Sequence, residues 1–155
     1  MTRELDRLVA DGAELEYRWV RRDGCGERAP IVMLHEGLGS VGLWRDFPEA
    51  LSAATGRDVF LWSRRGFGGS EPAAGPRDRR YLHRDALVEL PQVLAVGGIE
   101  RPILFGHSDG ATIALLFAAA HSRDVAALEI AGRALRDFGP VGQRHRVSRI
   151  PLRVG

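Results

Sequence analysis

The N-terminal residues follow the two-residue alternation of a half-buried β-strand. Charged and large apolar side chains alternate over residues 14–20, and a shorter strand pattern occupies residues 7–10. An Asp-Gly pair at 11–12 separates the two segments, and this pair is a common two-residue hairpin turn. The pattern therefore predicts a β-hairpin at the start of the fold.

Apolar runs without alternation recur further along the chain. A strand covered on both faces of a parallel sheet has such a run, because neither of its faces meets water. Two runs have this character, at residues 31–34 and 59–62, and they predict two buried strands. Further strands are predicted at residues 103–105 and 125–130.

Helical patterns separate these runs, at residues 44–54, 81–96 and 111–120. Pro91 lies inside the second pattern and predicts a kink or break, because proline lacks the N–H that a helix interior needs. Residues 66–80 are rich in Gly, Pro and charge, and predict a long loop. Strands that alternate with helices indicate the α/β class, with a doubly wound and mostly parallel sheet.

The C-terminal segment differs from the rest of the chain. Residues 131–155 contain six arginines and little hydrophobic periodicity. We therefore divide the chain into a core at residues 1–130 and an atypical Arg-rich tail at 131–155. Two origins of the tail stay open, translation out of frame or an internal deletion. If the sheet ends at residue 130, the last strand is an apolar edge through which the chain could self-associate.

Composition restricts the classes of function. The chain has 155 residues, 45% hydrophobic and 27% charged, which suffices for one globular domain. The formal net charge is only +2, so we expect no nucleic-acid partner. Cys25 is the single cysteine, so no internal disulfide can form. No segment has the pattern of a signal peptide or a membrane span, and we expect no membrane association and a cytoplasmic location.

Cofactor sites are not predicted. The glycines at 66–69 follow a strand, but Glu71 stands where a dinucleotide-binding G-x-G-x-x-G motif needs glycine. No group of histidines and carboxylates has the spacing of metal ligands. We expect neither a cofactor nor a metal ion.

The strongest chemical signal is Gly-His-Ser-Asp-Gly at residues 106–110. It lies between a predicted strand and a predicted helix, as a G-x-S-x-G nucleophile elbow does. Glycines flank the serine in such a turn because larger side chains would clash with the crossing backbone. Ser108 would then stand at a helix N-terminus, where developing negative charge is favoured. The alternative is an ordinary strand-to-helix turn.

A nucleophilic serine also needs two donors for the oxyanion that forms on its substrate. The backbone N–H of Asp109, the residue after the serine, is the first candidate. The second is the N–H of Gly37, in the Gly-rich segment 35–40 that follows a predicted strand. A plain connecting loop is the alternative for this segment.

Taken together, these motifs resemble the N-terminal half of an α/β-hydrolase superfamily enzyme. The resemblance rests on the opening hairpin, Leu-His-Glu-Gly-Leu-Gly at 34–39, Arg-Gly-Phe-Gly-Gly-Ser at 65–70 and the elbow, in the family's order. It covers about residues 5–130, so residues 1–130 would be a partial, incomplete α/β-hydrolase core. Two residues depart from the family's pattern: Glu36 replaces a usual glycine, and Ser63 replaces a frequent aspartate.

The resemblance implies a catalytic triad in the chain order Ser, Asp or Glu, His. The acid and the histidine are expected beyond the residues of this chain, which would leave it truncated and weakly active or inactive. His35 is expected to be structural, and His107 is expected to point away from the serine. Among the remaining histidines, His83 and His121 suit surface or capping roles, whereas His145 could pair with Asp137 as a compressed acid–base pair.

We therefore expect a serine hydrolase that acts on an ester, an amide or a related small-molecule carbonyl substrate. The alternative is a non-catalytic binding or interaction module on the same scaffold, which would use its pocket or its exposed sheet edge.

Overall fold

A computed structural model of the protein describes residues 5–24, 28–131 and 148–150. Its strands are β1 (Asp6–Ala10), β2 (Ala13–Val20), β3 (Ile31–Leu34), β4 (Val59–Trp62), β5 (Ile103–His107), β6 (Ala127–Ala131) and β7 (Ser148–Ile150). They form one seven-stranded sheet in the order β1-β2-β4-β3-β5-β6-β7. The four strands β4, β3, β5 and β6 are parallel, and the outer strands pair antiparallel.

The predicted hairpin is confirmed. Strands β1 and β2 pair antiparallel, with Ala10 opposite Ala13. The two turn residues, Asp11 and Gly12, have φ angles of 51° and 68°. Positive φ at both positions is the requirement of a type I′ turn, which Asp-Gly meets at low cost.

Helices cover both faces of the sheet, which confirms the α/β class and the doubly wound arrangement. The helices are α1 (Phe47–Thr55), α2 (Tyr81–Arg84), α3 (Leu90–Val96) and α4 (Asp109–Ala120). Alternate residues of β3 and β4 enter two separate apolar cores. Val32 and Phe60 pack with residues of α3 and α4, whereas Met33 and Leu61 pack on the face of α1. This two-sided burial explains why the strands read as continuous apolar runs.

Two helix boundaries differ from the pattern. The first predicted helix begins at Phe47, because a 3-10 turn at Gly42–Trp44 ends at Arg45, whose φ is 50°. The long helix around Pro91 changes its hydrogen bonding at a π-helical turn, Asp85–Glu89. The predicted break therefore lies just before the proline, which lacks the N–H that would continue the regular ladder.

The expected open edge at β6 is wrong. Strand β7 pairs antiparallel with β6, with Leu128 opposite Ile150 and Ile130 opposite Ser148. The poor periodicity of residues 131–155 had indicated that the tail does not continue the sheet. Three residues need no periodicity to supply backbone partners to a neighbouring strand. Self-association through β6 is accordingly not proposed. The division of the chain at residue 130 stays a prediction. Among the helices in the described ranges, none is both long and apolar enough to cross a bilayer.

The order β4-β3-β5 places a topological switch point between β3 and β5. The chain leaves β3 toward one side of the sheet and leaves β5 toward the other. Loops at the carboxyl ends of two such strands diverge and open a crevice, which is where α/β proteins bind ligands. Leu34 at the end of β3 pairs with Gly106 in β5.

Candidate active site

Ser108 occupies a strained turn between β5 and α4. Its φ is 53° and its ψ is −113°, a conformation that residues other than glycine rarely adopt. In the described part of the chain, no side chain is hydrogen-bonded to the Ser108 hydroxyl. A strand, a left-handed residue and a helix in this order match the predicted elbow.

The flanking glycines are required by close backbone contacts. A Cβ on Gly106 would lie 2.5 Å from the Gly110 carbonyl oxygen. A Cβ on Gly110 would lie 2.0 Å from the Leu34 carbonyl oxygen. The predicted reason for glycine at both positions, crossing backbone, is therefore confirmed.

The loop after β3 faces the start of α4. A Cβ on Gly37 would lie 2.8 Å from Oδ2 of Asp109, so the two predicted oxyanion-hole residues lie side by side. Asp109 is the first residue of α4, and its N–H therefore has no acceptor within the helix. The helix dipole adds partial positive charge at this point.

The side chain of Asp109 is held by a tyrosine. The Tyr81 hydroxyl donates a hydrogen bond to Oδ2 of Asp109 at 2.8 Å. Burial raises the pKa of Tyr81, and the hydrogen bond to Asp109 raises it further. Tyr81 therefore stays a neutral donor at neutral pH. No sequence pattern indicates this role of Tyr81, because α2 and α4 are distant in sequence.

His35 is buried and bonded through both ring nitrogens. Its Nδ1 donates to the Glu36 carbonyl oxygen at 2.7 Å, and its Nε2 accepts the Arg64 backbone N–H at 3.0 Å. Burial, and after it the charge of Arg64, lowers the pKa of His35 to about 3. A neutral ring with both nitrogens engaged cannot serve as a general base, which fits the predicted structural role.

Arg64 contacts the loop after β3 and lies near the start of α4, and no sequence pattern pointed to it. Only 1% of it is exposed. Its guanidinium donates to Asp85 at 2.7 Å and to the Glu36 carbonyl oxygen at 3.0 Å. It also lies 4.0 Å from the carboxylate of Asp109. One buried cation thus fixes the loop after β3 relative to α4. Arginine is rarely buried, so only the tertiary packing identifies this role.

A buried carboxylate compensates for the serine at position 63. The Ser63 hydroxyl donates to Glu16 at 2.5 Å and accepts the Val41 N–H at 2.8 Å. Glu16 belongs to β2 and is only 6% exposed. Cβ atoms on Gly68 and Gly69 would lie 2.2 and 2.4 Å from its oxygens. Glu16 therefore brings a carboxylate to the place where the resemblance leads us to expect an aspartate.

None of the described histidines is hydrogen-bonded to Ser108. Nδ1 of His107 lies 3.7 Å from Oε2 of Glu36, which agrees with the expectation that this ring points away from the serine. His121 stacks on Phe117 at the end of α4, and His83 is exposed. The predicted pairing of His145 with Asp137 lies outside the described residues.

Two cavities are lined in part by the loop that follows β3, residues 35–40. One, of about 190 Å³, is lined by His35, Glu36, Gly39, Ser40, Leu43, Trp44 and His107. The other, of about 370 Å³, is lined by Gly37, Gly66, Phe67, Pro72, Ala73, Gly75 and Arg77. Gly37, one candidate oxyanion donor, therefore lines the larger cavity, and its neighbour Glu36 lines the smaller one; each space could hold part of a substrate.

Comparison with known proteins gives a family match. The sequence profile of the alpha/beta hydrolase fold matches residues 29–135. A Cronobacter turicensis protein described as a carbamate hydrolase is 34% identical over 103 residues, which are 66% of this chain and 37% of that protein. A human (lyso)-N-acylphosphatidylethanolamine lipase is 35% identical over 88 residues, which are 57% of this chain and 25% of the lipase. The chain thus spans well under half the length of these relatives.

A solved structure extends the similarity to the backbone. An alpha/beta hydrolase from Novosphingobium aromaticivorans superimposes with a TM-score of 0.66 at 29% identity. The match covers 83% of this chain and 43% of that chain. The shared part is therefore the sheet and helices that carry the turn at Ser108.

Proposed function

Because this chain belongs to the alpha/beta hydrolase fold family, we propose that Ser108 is the nucleophile of a serine hydrolase. The observation that carries the proposal is the left-handed backbone of Ser108 at the turn from β5 to α4. Strain of this kind persists only where the surrounding structure imposes it, and it clusters at functional sites. The hydrolase relatives support a reaction that cleaves a bond with water.

The proposed reaction begins with attack of the Ser108 hydroxyl oxygen on a carbonyl carbon. The carbonyl oxygen becomes an oxyanion, and the N–H groups of Gly37 and Asp109 would stabilise it. The serine proton passes to a general base, and the leaving group departs with a proton. Water then releases the acyl group from Ser108 by the same steps.

The general base of this reaction is proposed to lie outside the described residues. His35 is neutral and bonded at both nitrogens, and His107 faces Glu36. The matched segments cover 37% and 25% of the two relatives, so most of each relative lies outside the match. A serine needs a base within hydrogen-bonding reach to become strongly nucleophilic, and no described histidine is hydrogen-bonded to Ser108.

The proposed substrate is an ester, an amide or a related small carbonyl compound. The relatives are described as a carbamate hydrolase and a lipase, and both reactions break a bond at an acyl carbon. These names support the class of reaction and leave the particular acyl group open.

Covalent labelling tests the nucleophile. The wild-type chain, Ser108→Ala and the control Ser122→Ala would be incubated with an excess of a fluorophosphonate, and the adduct located by mass spectrometry. Ser122 is exposed and far along the chain from the elbow. We expect labelling at residue 108 in the wild type and in Ser122→Ala, and none in Ser108→Ala. An unmodified Ser108 in the wild type, or equal labelling of the two variants, would contradict the proposal.

A further inference from the structure

The smaller cavity is lined by residues that are next in sequence to the two candidate catalytic positions. Two of its lining residues, Glu36 and His107, directly precede Gly37 and Ser108 in the chain. A carbonyl carbon placed at the Ser108 hydroxyl, with its oxygen toward Gly37, would therefore have its neighbouring atoms at the mouth of this cavity.

The backbone of Glu36 holds the loop in place, whereas its side chain is free of hydrogen bonds to the described residues. Its carbonyl oxygen accepts hydrogen bonds from His35 at 2.7 Å and from Arg64 at 3.0 Å, and these bonds fix the loop. Its side chain is 45% exposed, and no described residue is hydrogen-bonded to the carboxylate. A glycine would preserve the same backbone contacts. The loop therefore does not need a carboxylate at this position.

The groups that surround the cavity are electron-rich. The Glu36 carboxylate accepts hydrogen bonds only, and Nδ1 of the His107 ring, which is 37% exposed, lies 3.7 Å from it. The indole of Trp44 lies beside His107, with ring centroids 6.2 Å apart, and an indole face attracts cations. The buried guanidinium of Arg64 donates to the Glu36 carbonyl oxygen and not to its carboxylate.

From these contacts we infer that the cavity binds the ammonium group of a substrate, next to the carbonyl that Ser108 attacks. The inference rests on the proposed function, because that function places the carbonyl. The substrate class is an ester or amide of an amino-bearing acid, such as an aminoacyl compound. A carboxylate-bearing substrate is disfavoured, because its charge would lie against the Glu36 carboxylate.

A binding measurement tests this inference without turnover. The probes are N-ethylglycinamide, whose amine is protonated at about pH 6.5, and its neutral isostere N-ethylpropanamide. Each would be titrated into ¹⁵N-labelled chain, with the backbone amides of residues 36–40 and the Trp44 indole N–H followed by NMR. The variants are Glu36→Gln and the control Glu100→Gln, which removes the same charge at an exposed site beyond α3.

We expect N-ethylglycinamide to bind the wild type and Glu100→Gln with the same Kd. In Glu36→Gln, loss of a charge-assisted hydrogen bond should raise that Kd roughly tenfold. The neutral isostere should bind the wild type more weakly by a similar factor. Absence of saturable binding, an unchanged Kd in Glu36→Gln, or equal binding of the two amides to the wild type would overturn the inference. The last comparison needs no substitution and so does not depend on the folding of a variant.

The same titration in Ser108→Ala separates the two proposals. Binding should persist there, because the cavity does not include the serine hydroxyl. Selective binding together with an unlabelled Ser108 would leave the cavity assignment intact and remove the catalytic one. Labelling of Ser108 together with an unchanged Kd in Glu36→Gln would leave the catalytic assignment intact and remove the cavity assignment.

Discussion

Single residues in this site take their chemistry from burial. His35 has the same imidazole as the four other histidines, but burial lowers its pKa to about 3. Arg64 gains its role in the same way, since its buried guanidinium has the loop carbonyls and Asp85 as partners. Residue type alone suggested neither outcome.

The pH dependence of stability should report the buried histidine. The unfolded His35 takes up a proton below pH 6.5, whereas the folded residue stays neutral down to about pH 3. The unfolded state therefore binds more protons in this window, and the free energy of unfolding falls as the pH falls. One such group contributes up to about 1.4 kcal/mol per pH unit. Urea unfolding at several pH values between about 7 and 5 measures the slope.

The variant His35→Gln should lose that part of the slope, although it also lowers stability overall. His83→Gln is the matched control, because His83 is exposed and should leave the slope as it is in the wild type. Equal slopes in the wild type and His35→Gln would show that His35 does not cause the fall in the free energy of unfolding at low pH.

At the scale of elements, the elbow depends on how closely α4 approaches β3. Ser108 can sit in its left-handed conformation because Gly110 lets the helix start against the end of β3. The contact is between backbone atoms, which cannot move aside as a side chain can. The strand, the turn and the helix therefore act as one unit.

Gly110→Ala should disrupt that unit. Its Cβ would lie 2.0 Å from the Leu34 carbonyl oxygen, so β3 and α4 must separate. We expect the free energy of unfolding to fall by about 3 kcal/mol, at the upper end for overpacking. Chemical denaturation measures it. Gly75→Ala is the control, because nothing lies within 4 Å of a Cβ at Gly75 and its φ is not positive. A similar loss in both variants would count against the close approach.

At the scale of the whole molecule, the sheet is covered on its faces and extended at its edge. Strand β7 pairs with β6, which would otherwise present an apolar edge with free N–H and C=O groups. Such an edge invites pairing with another chain.

Removal of β7 should therefore promote self-association. A chain that ends at Val147 lacks β7, whereas a chain that ends at Ile150 keeps it. We expect the shorter chain to show a larger apparent mass that rises with protein concentration, as measured by size-exclusion chromatography with light scattering. Identical masses for the two chains would mean that β7 does not protect the edge.

The linear pattern of the chain determined the elements and their class. Each predicted strand and helix has a counterpart, because two-residue alternation and continuous apolar runs follow directly from which faces are buried. The sequence also predicted the turn at Asp11 and Gly12 and the need for glycines around Ser108, because local backbone geometry restricts the residue types at those positions. Boundaries near Arg45 and Pro91 shifted, because 3-10 and π turns respond to packing as well as to local sequence.

Only the tertiary structure decided the partners of the site. Tyr81 reaches Asp109, Glu16 reaches Ser63 and β7 reaches β6 across long stretches of sequence. None of these pairs produces a periodic pattern in the sequence, because each depends on single side chains or on backbone groups alone. The sequence by itself could place a serine on a turn and glycines beside it. Which groups surround that serine, and which charges they carry, was decided by the distances that folding imposes.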